Sequence, residues 1–531
     1  MTVSHWVLQR VLYCYSHWRH IALLTTSTAL ASTLLLLLWI RRHVITKPTR
    51  LKTVTVLVLG DIGRSPRMMY HSESFAKHGW ETAVVAYFDT PPIPSLISTP
   101  HVHPFPILNP PSLLLRLPWV LRAPIRILYQ VISVIFNCLV FIPVHNEVLL
   151  VQNPPSIPTL LLAQVLARVT GARLVIDWHN TGYSILAMRV GDRSPLVKAA
   201  TWFERKFGQR AYAHLFVTKA LRDFLSDEWG LQGKLIVLHD RPPAHFRPTG
   251  PMTAHELFHR LEPHLSPRLP SWLSHPSSHT ILTHLSSSNL ICPLPSRPAL
   301  LVSATSWTAD EDFNPLLTAL DNYQIALSSL PSRHLPRLVV LITGKGALRA
   351  AFEKQVQARE KGDSSQYDDK QHGSVNGKTV RWTDVCVRCV FLPARDYPTL
   401  LGCADLGVSM HSSSSGRDLP MKIVDMFGCG VPVLSRDFAC VGELVKDGQN
   451  GRVFDTGEEL GGLLVDILSG FPDSPKLVQL RNYFTQQSRP SSRRATPEVD
   501  ATEEVWSTWE QNWDRVMLRS VLGDRGRRGL S

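Results

Sequence analysis

Cysteine and acidic residues are both scarce in this sequence for its length. Eight cysteines are scattered over 531 residues, and several lie inside apolar runs, as is typical of reduced thiols in the cytosol. Cysteine and histidine spacings of a zinc site are missing, and so are the signals of a helix-turn-helix or an aromatic RNA-binding surface. These absences exclude a disulfide scaffold, a structural zinc domain and a nucleic-acid partner.

One cysteine pair needs a separate interpretation. Cys386 and Cys389 form a lone C-x-x-C with no second pair. Such a pair can serve redox chemistry or bind a metal. We interpret both cysteines as residues of a core strand.

Positive charge is in excess. The chain has 56 Lys+Arg against 43 Asp+Glu, a formal net charge of +13, which favours anionic partners such as lipid headgroups and nucleotide phosphates. Much of the excess lies near the N-terminus, around Arg116, Arg122 and Arg126, and in the C-terminal tail. A membrane surface explains that distribution well. The length predicts two domains with appendages.

A long uncharged run near the N-terminus predicts a membrane anchor. Residues 21–40 carry no charge, and at about 1.5 Å per residue a helix of this length spans the hydrocarbon core. A cleaved signal peptide is the alternative, but the small residues at 29–31 precede the leucine run instead of following it. Residues 41–52 are more basic than residues 1–20, so we expect a short lumenal N-terminus and a cytosolic body.

A second apolar run extends from residue 127 to residue 144, within a possible membrane-contacting segment at 113–144. It follows three arginines and is free of charge. We interpret it as a helix that lies partly in the membrane interface. A buried helix of the N-terminal domain and a second span are the alternatives.

Short β-branched runs alternate with helical stretches along most of the chain, which predicts doubly wound α/β sheets. We expect an N-terminal Rossmann-like domain at 50–245 and a C-terminal one at 299–470, facing each other across a cleft. Residues 246–298 are rich in proline, serine and histidine and are interpreted as a linker or insertion. Residues 471–531 form a tail in which 503–522 should dock as a helix.

Two polar segments follow predicted strands of the N-terminal domain, where ligands bind in open α/β sheets. The first, at residues 60–66, carries Gly60 and Gly63 for close backbone approach and Arg64 as an anion donor; a plain tight turn is the alternative. The second, at 177–183, combines an acid, an imidazole, an amide and a phenol, and we favour a functional role for it.

Two further segments predict a phosphate site in the C-terminal domain. Gly344 and Lys345 follow a strand but lack the length of a Walker loop, and a solvated lysine in a turn is the alternative. The run HSSSSGRDLPMKIVDMFGCGVP at residues 411–432 predicts a serine- and glycine-rich loop that leads into a helix. Its helix start can bind a diphosphate; a capped surface helix is the alternative. The candidate ligand-binding residues of this run are Ser413, Gly416, Asp418, Lys422 and Asp425.

Details of that run support the interpretation. Asp418 has the position of an N-cap and Pro420 suits a first helical turn. Lys422 in the first turn is disfavoured by the helix dipole unless an anion is bound. Asp425, one turn further, can reach a ribose hydroxyl.

Four ordered segments carry a family resemblance. They are LGDIGRSPR at 59–67, IDWHNTGYS at 176–184, TSWTADEDF at 305–313 and the 411–432 run. Residues 419–432 resemble the nucleotide-sugar element of B-type glycosyltransferases, which have twin Rossmann-like domains. All four together resemble the chitobiosyldiphosphodolichol beta-mannosyltransferases, over most of 50–245 and 299–455.

This resemblance implies a reaction and its partners. The donor would be GDP-mannose and the acceptor a dolichol-diphosphate-linked chitobiose, joined by a beta-1,4 bond with inversion. It implies location at the endoplasmic reticulum membrane, single-pass, with the catalytic domain cytosolic, and other transferases of the pathway or a second copy as possible partners. A transferase of UDP-N-acetylglucosamine and an inactive membrane scaffold for partner transferases are the alternatives.

The resemblance also directs the choice of catalytic residues. Retaining relatives have a Glu eight residues before the position of Asp425, where this chain has Arg417, which suits an inverting enzyme. Such an enzyme needs a base for the acceptor hydroxyl, for which His179 and Asp61 are the candidates. Lys345 and Lys422 would stabilise the leaving GDP. The acidic triplet at 310–312 is interpreted as a helix cap, so no cofactor is required, although Mg²⁺ assistance stays possible.

Overall fold

The structure is a computed structural model, and it describes nine stretches of the chain together with Ser32. These are residues 52–111, 118–142, 146–265, 269–308, 311–329, 334–362, 380–413, 416–487 and 506–523. Apart from Ser32, the predicted anchor at 21–40 lies outside the described residues. The same holds for the residues that precede the anchor. Within that part, no helix is both long enough and apolar enough to cross a membrane.

The chain divides into two compact units. Unit 1 contains the described residues up to Leu215 together with Leu225–Leu235, and unit 2 contains Phe216–Phe224 and the described residues from Ile236 onward. Each has its own sheet, which agrees with the predicted twin Rossmann-like architecture.

Seven strands form the first sheet, in the order β3-β2-β1-β4-β5-β6-β7. They are β1 (Lys52–Asp61), β2 (Trp80–Tyr87), β3 (Val102–Pro106), β4 (Val148–Asn153), β5 (Arg173–Trp178), β6 (Arg210–Phe216) and β7 (Gln232–Val237). From β3 to β5 the pairs are parallel. The strand order changes direction between β1 and β4, which is where such sheets bind ligands.

Helices connect these strands. They are α1 (Pro66–Lys77), α2 (Pro94–Ser98), α3 (Trp119–Phe136), α4 (Thr159–Thr170), α5 (Gly182–Val190), α6 (Pro195–Gly208) and α7 (Lys219–Trp229). A 3₁₀ turn, Ile62–Arg64, precedes α1. The central strands β1, β2, β4 and β5 are buried over most of their length because helices cover a parallel sheet on both faces.

Helix α3 occupies the second apolar run of the sequence. It continues as a π-helical turn, Asn137–Phe141. One face packs on the chain after β3, where Leu108 N donates to Ser133 Oγ (3.0 Å) and Asn137 Nδ2 donates to Pro106 O (3.1 Å). The other face leaves apolar side chains exposed, namely Ile127, Leu128, Ile132, Phe136 and Val140. The helix therefore has one packed face and one apolar face open to solvent.

Six parallel strands form the second sheet, in the order β12-β11-β10-β13-β14-β15. They are β10 (Ala299–Ala304), β11 (Leu338–Thr343), β12 (Val385–Val390), β13 (Leu406–Ser409), β14 (Val433–Arg436) and β15 (Gly451–Phe454). Here the order changes direction between β10 and β13, so the ligand edge of this sheet is where β10 and β13 end.

Unit 2 has further helices. They are α8 (Pro251–Leu265), α9 (Asn314–Ser329), α10 (Arg349–Lys361), α11 (Asp396–Leu401), α12 (Met421–Gly428), α13 (Gly457–Leu468), α14 (Pro475–Gln487) and α15 (Trp509–Trp513). Helix α15 continues as a π-helical turn, Asp514–Leu522. Its buried side chains, Trp509, Trp513, Met517 and Val521, dock it as the apolar spacing predicted, although the described helix begins at 509 and not near 503.

The segment interpreted as a linker or insertion is folded. It contains α8 and the hairpin of β8 (Thr283–Leu285) and β9 (Ile291–Pro293). Leu257, Phe258 and Leu261 of α8 belong to the same buried cluster as Val339 and Leu341 of β11. Apolar side chains at helical spacing thus place this proline-rich segment on the core of unit 2.

The interpretation of Cys386 and Cys389 as strand residues is confirmed. Both lie on β12. Residues three apart on a strand point to opposite faces of the sheet, so the two thiols face different sides of it. Burial raises the pKa of each thiol to about 12.

Candidate active site

The polar cluster after β5 contains a half-buried imidazole that is held by a buried acid. His179 Nε2 lies 2.9 Å from Asp177 Oδ2. Asp177 is fully buried, whereas the side chain of His179 keeps 23% of its exposure. A carboxylate only accepts hydrogen bonds, so Nε2 carries the proton in this contact and Nδ1 keeps a lone pair. His179 is therefore oriented as a general base.

Two further side chains, both from α1, surround Asp177. Arg67 donates to both carboxylate oxygens, from Nε at 2.8 Å and from Nη2 at 2.9 Å, and His71 Nε2 lies 3.4 Å from Oδ2. Burial alone would raise the pKa of Asp177, but Arg67 and the two histidines outweigh it and hold that pKa well below its usual value. Asp177 therefore stays a carboxylate at neutral pH.

The loop that carries His179 is fixed by a second buried acid. Glu204 on α6 accepts from Gly182 N (2.9 Å), from Tyr183 N (3.0 Å) and from Asn153 Nδ2 at the end of β4 (2.8 Å). Its carboxylate thus occupies the start of α5, where free backbone N–H groups favour an anion. A Cβ at Gly182 would stand 2.3 Å from Ser156 Oγ, so any larger residue at this position would have to displace the Ser156 hydroxyl.

The loop after β1 is braced internally. Asp61 accepts from Gly63 N (3.3 Å) and Thr90 N (3.1 Å), and Arg64 lies 3.6 Å from its carboxylate. Burial raises the pKa of Asp61, but the hydrogen bonds from Thr90 and Gly63 and the charge of Arg64 lower it by more, so the net shift is downward. A carboxyl group with a lowered pKa is a weaker base.

The two glycines of this loop differ in what they contact. A Cβ at Gly63 would stand 2.5 Å from Thr90 O, whereas one at Gly60 would meet only ordinary contact with Val58, at 3.8 Å. The close approach that Gly63 permits is therefore to a neighbouring loop of the protein. Arg64, with 81% of its side chain exposed, is the residue of this loop that can reach an anion.

In unit 2, a buried glutamate joins the loops at the ligand edge. Glu311, in the chain after β10, accepts from Thr305 Oγ1, from Ser306 N (2.9 Å) and from Lys422 Nζ (2.5 Å). It also forms a β-bridge with His411, in the chain after β13. Glu311 therefore ties the exits of the two strands at the switch point to the start of α12.

Gly344 and Lys345 follow β11 at the same edge. Gly344 has φ +141°, and a Cβ there would stand 1.8 Å from Thr305 O, so the turn accepts only glycine. The side chain of Lys345 is exposed, and its Nζ lies 3.7 Å from the centroid of the Phe391 ring. This cation–π contact accounts for the position of Lys345 without any bound phosphate.

The start of α12 differs from the prediction. The helix begins at Met421 and Pro420 stands just before it, so the expectation that Asp418 is the N-cap and Pro420 part of the first turn was wrong. The Asp418 carboxylate instead accepts from Ser413 Oγ. Gly416, at φ +66°, donates its N–H to Ser413 O at 3.3 Å. Asp418 does not cap the helix because its carboxylate is held in the preceding loop by the hydrogen bond from the Ser413 hydroxyl.

Lys422 and Asp425 lie on successive turns of α12. Because Lys422 is paired with Glu311, its charge at the helix start is compensated without a ligand, contrary to what we expected. An ammonium group has three donors, so hydrogens remain for a phosphate. Burial raises the pKa of Asp425 to about 7, against the hydrogen bond from Tyr397 Oη at 3.3 Å.

The structure groups the predicted residues at two sheet edges. Gly60, Asp61, Arg64 and His179 lie where strands of the first sheet end. The candidates in unit 2 lie where strands of the second sheet end, and they are Gly344, Lys345, Ser413, Gly416, Asp418, Lys422 and Asp425. Asp61 is the last residue of β1 and His179 directly follows β5. Because β4 separates these two strands, their backbones stand about 10 Å apart. Residues not chosen individually from the sequence are Arg67, His71, Asp177, Glu204 and Glu311. Asp177 was included only as part of the 177–183 cluster, and Glu311 was interpreted as part of a helix cap.

Some of these missed residues carried a signal. Arg67 and Asp177 stand inside two of the motif segments. The sequence also shows an acid, Asp177, two residues before His179 at the end of a predicted strand. His71 and Glu204 lie on helices without any local pattern that separates them from surface residues. In the described residues, no cluster of three or more histidine, cysteine, aspartate or glutamate side chains suits a metal ion; Asp310 lies outside them.

A large cavity in unit 2 is not at this edge. It measures about 770 Å³ and is lined by Pro242, Phe246, Arg297, Asp405 and Trp506 among others. Arg297 and Asp405 precede β10 and β13, so the cavity opens at the amino edge of the sheet. Ligands of open α/β sheets bind at the carboxyl edge, and we assign the site there.

Comparisons with known proteins agree with the fold and the motifs. No protein-family model matches the chain. It is 35% identical over 489 residues to the mouse chitobiosyldiphosphodolichol beta-mannosyltransferase, covering 91% of this chain and 92% of that protein. It is 36% identical over 472 residues to the UDP-glycosyltransferase TURAN of Arabidopsis thaliana, covering 84% and 96%. The crystal structure of Anabaena HepE with UDP-glucose matches at a TM-score of 0.52 and 14% identity, covering 82% and 94%.

Two Rossmann-like sheets, each with polar side chains at its carboxyl edge, match the B-type fold of glycosyltransferases, and the curated relatives place the chain in that class of enzyme. The HepE likeness supports that fold alone. At the identity and coverage of its curated relatives, the chain belongs to the chitobiosyldiphosphodolichol beta-mannosyltransferase family.

Proposed function

We propose that this enzyme transfers mannose from GDP-mannose to a dolichol-diphosphate-linked chitobiose and forms a beta-1,4 bond with inversion. The observation that carries the proposal is the likeness over 91% of the chain to a mouse protein whose name states mannose transfer to this acceptor. The donor is proposed from the resemblance of the four sequence motifs. The geometry of the two sheet edges supports a single displacement, as follows.

His179 is the proposed base. Its Nδ1 lone pair would take the proton of the acceptor hydroxyl as that oxygen attacks the mannose carbon. The imidazolium that forms is stabilised by Asp177, which Arg67 keeps ionised and oriented. Asp61 was the other candidate. Its carboxylate is engaged by Gly63 and Thr90 and its pKa is lowered, which favours His179.

The groups after β10, β11 and β13 are proposed to hold the donor. Lys422 and the N–H groups at the start of α12 would stabilise the charge on the leaving diphosphate. Lys345 would leave the Phe391 ring to join them, which exchanges a cation–π contact for a charge-assisted hydrogen bond. Asp425 would accept from a ribose hydroxyl in its ionised form. Gly344, Ser413, Gly416 and Asp418 would shape the backbone around the phosphates.

Arg417 supports inversion. Retaining relatives are expected to have a carboxylate at this position, and here a guanidinium stands 3.6 Å from the Phe224 ring centroid. Thr218 Oγ1 donates to the Arg417 backbone oxygen at 2.6 Å, which fixes the loop. A double displacement would need a carboxylate nucleophile at this place, whereas a single displacement needs none.

We further propose the cellular setting predicted from the sequence. Residues 21–40 would anchor the chain in the endoplasmic reticulum membrane with the catalytic body in the cytosol, and the exposed apolar face of α3 supports contact with the bilayer. The two catalytic domains would be residues 50–245 and 299–470. Catalysis would need no metal, and adding EDTA or Mg²⁺ to the assay tests this.

The decisive experiment measures transfer to a phytanyl-diphosphate-linked chitobiose by the purified full chain. Each of GDP-mannose, UDP-glucose and UDP-N-acetylglucosamine is offered separately, and the product is analysed by mass and by an anomer-specific mannosidase. Transfer of a beta-linked mannose from GDP-mannose alone supports the proposal.

Two other outcomes identify the alternatives. The name of the Arabidopsis relative favours a UDP-sugar donor as second candidate, and transfer from a UDP-sugar alone would establish it. An inactive scaffold for partner transferases would transfer no sugar from any donor, yet would still bind those transferases in a pull-down.

A further inference from the structure

The helical hairpin of α5 and α6, residues 182–208, exposes large apolar side chains. At its tip, Met188, Val190 and Leu196 are exposed, and on the outer face of α6 Trp202 keeps 63% of its surface in contact with solvent. Exposed apolar side chains of this size in one supersecondary element indicate a surface that another body covers.

The exposed charges of the same hairpin have nearly one sign. The exposed basic residues are Arg189, Arg193, Lys198, Arg205 and Lys206, against one exposed acid, Asp192. Lys198 stands four residues before Trp202, and Arg205 and Lys206 stand three and four residues after it. Side chains at these spacings are neighbours on one helix face, so the three cations surround the indole.

This arrangement has a specific chemical match. An indole in a ring of cations fits the interface of a bilayer, where the ring lies at headgroup depth and the long basic side chains reach the phosphates. A bilayer with anionic headgroups presents a continuous negative layer above an apolar one. A protein partner of ordinary composition does not present these two layers together. The charge therefore favours a lipid surface that contains anionic headgroups.

The hairpin is joined rigidly to the proposed base. Helix α5 begins three residues after His179, and Glu204 of α6 holds the first N–H groups of α5. Trp202 and Glu204 are two residues apart, so they lie on nearly opposite faces of α6. The face that carries Trp202 thus stands about 10 Å, one helix diameter, from the carboxylate that fixes the His179 loop.

We propose that the α5–α6 hairpin docks on the anionic surface of the bilayer and thereby sets His179 at headgroup height, where a lipid-linked diphosphate is presented. The role in catalysis rests on the proposed function, whereas the docking itself does not. This contact is separate from the predicted anchor and from the exposed face of α3, because it belongs to the element that carries the base.

Docking is tested by hydrogen–deuterium exchange of the full chain in nanodiscs. Peptides from 182–208 should exchange more slowly in nanodiscs that contain phosphatidylserine than in neutral ones, and added salt should reverse this. A Lys198→Glu, Arg205→Glu variant should lose the difference. Equal exchange in both lipids, or protection that requires an added protein instead of anionic lipid, would overturn the proposal.

The functional consequence is tested with two acceptors. A Leu196→Ser, Trp202→Ser variant should raise KM about tenfold for acceptor embedded in vesicles, which is about 1.4 kcal/mol of lost interfacial binding. A water-soluble acceptor with a short alkyl chain should be used with unchanged kcat and KM. The matched control is Leu290→Ser in unit 2, since Leu290 is also 63% exposed, and it should change neither value.

The outcomes separate the docking proposal from the proposed function. Equal loss with both acceptors would indicate a structural role for Leu196 and Trp202 and would refute docking. If the unmodified chain transfers no mannose to either acceptor, the proposed function fails, and exchange protection in anionic nanodiscs still decides the docking question.

Discussion

Replacing His179 by glutamine removes the proposed base while leaving the buried ion pair beneath it intact. Asp177 keeps both hydrogen bonds from Arg67, and glutamine can still donate to it, so folding should be little affected. A positioned general base contributes roughly 10²- to 10⁴-fold. At about 1.36 kcal/mol per decade, the expected loss in kcat is about 2.7–5.4 kcal/mol of transition-state stabilisation.

The assay measures mannose transfer to the short-chain acceptor at saturating donor, together with the dissociation constant of GDP and the melting temperature. His179→Gln should lower kcat and leave the other two values unchanged, because the donor groups lie on the second sheet. A variant that keeps more than half of the kcat would refute the role of His179.

Asp177→Asn is the matched comparison. It should also lower kcat, because an amide stabilises an imidazolium less than a carboxylate does. In addition it leaves Arg67, which is 4% exposed, without its carboxylate, and breaking such a buried pair costs about 3–5 kcal/mol of folding free energy. A lowered melting temperature in Asp177→Asn but not in His179→Gln separates orientation from stability.

Three further predictions concern the second sheet. Lys422→Met should raise KM for the donor about tenfold to hundredfold, as expected for loss of a hydrogen bond to a charged group. The double variant Lys422→Met, Glu311→Gln should have the same raised KM. An unchanged KM would remove Lys422 from the donor site. Since the pKa of Asp425 is raised to about 7, its carboxylate forms as the pH rises from 6 to 8, and KM for the donor should fall over this range. Asp425→Asn should flatten this pH profile. A profile that persists in the variant contradicts the role of Asp425 in donor binding. Gly344→Ala should lower the free energy of unfolding by about 1–3 kcal/mol because its φ of +141° strains any side chain; chemical denaturation measures this, and an unaltered midpoint would refute it.

Local sequence patterns were sufficient to predict much of the architecture. Runs such as residues 338–343 are apolar and β-branched because both faces of a parallel strand are buried, so their positions could be predicted without tertiary information. Strand–helix alternation then implied doubly wound sheets, and the motif at 411–432 indicated a helix start behind a serine- and glycine-rich loop. Boundaries were less accurate, as at the start of α12, because the ends of an element depend on its tertiary contacts.

Side-chain partnerships were beyond the reach of the sequence. Glu311 pairs with Lys422 across 111 residues of chain, and Arg67 pairs with Asp177 across 110. Neither distance leaves a periodic signal. The capping role assigned to Asp418 was wrong for a different reason. The Ser413 hydroxyl is only five residues away, but it reaches the Asp418 carboxylate only in the folded conformation of the loop.

The sequence by itself determined the secondary-structure order, the two-sheet organisation and the strand exits where a ligand binds, because burial and periodicity are local properties. Only the tertiary structure decided which polar side chain at those exits has a buried partner and which is left oriented for chemistry. Hydrogen bonds and ion pairs of this kind depend on distances between atoms that are remote in sequence. They distinguish His179, whose partner Asp177 is held by Arg67 from 110 residues away, from Asp61, whose carboxylate accepts a hydrogen bond from Thr90 N, 29 residues further along the chain.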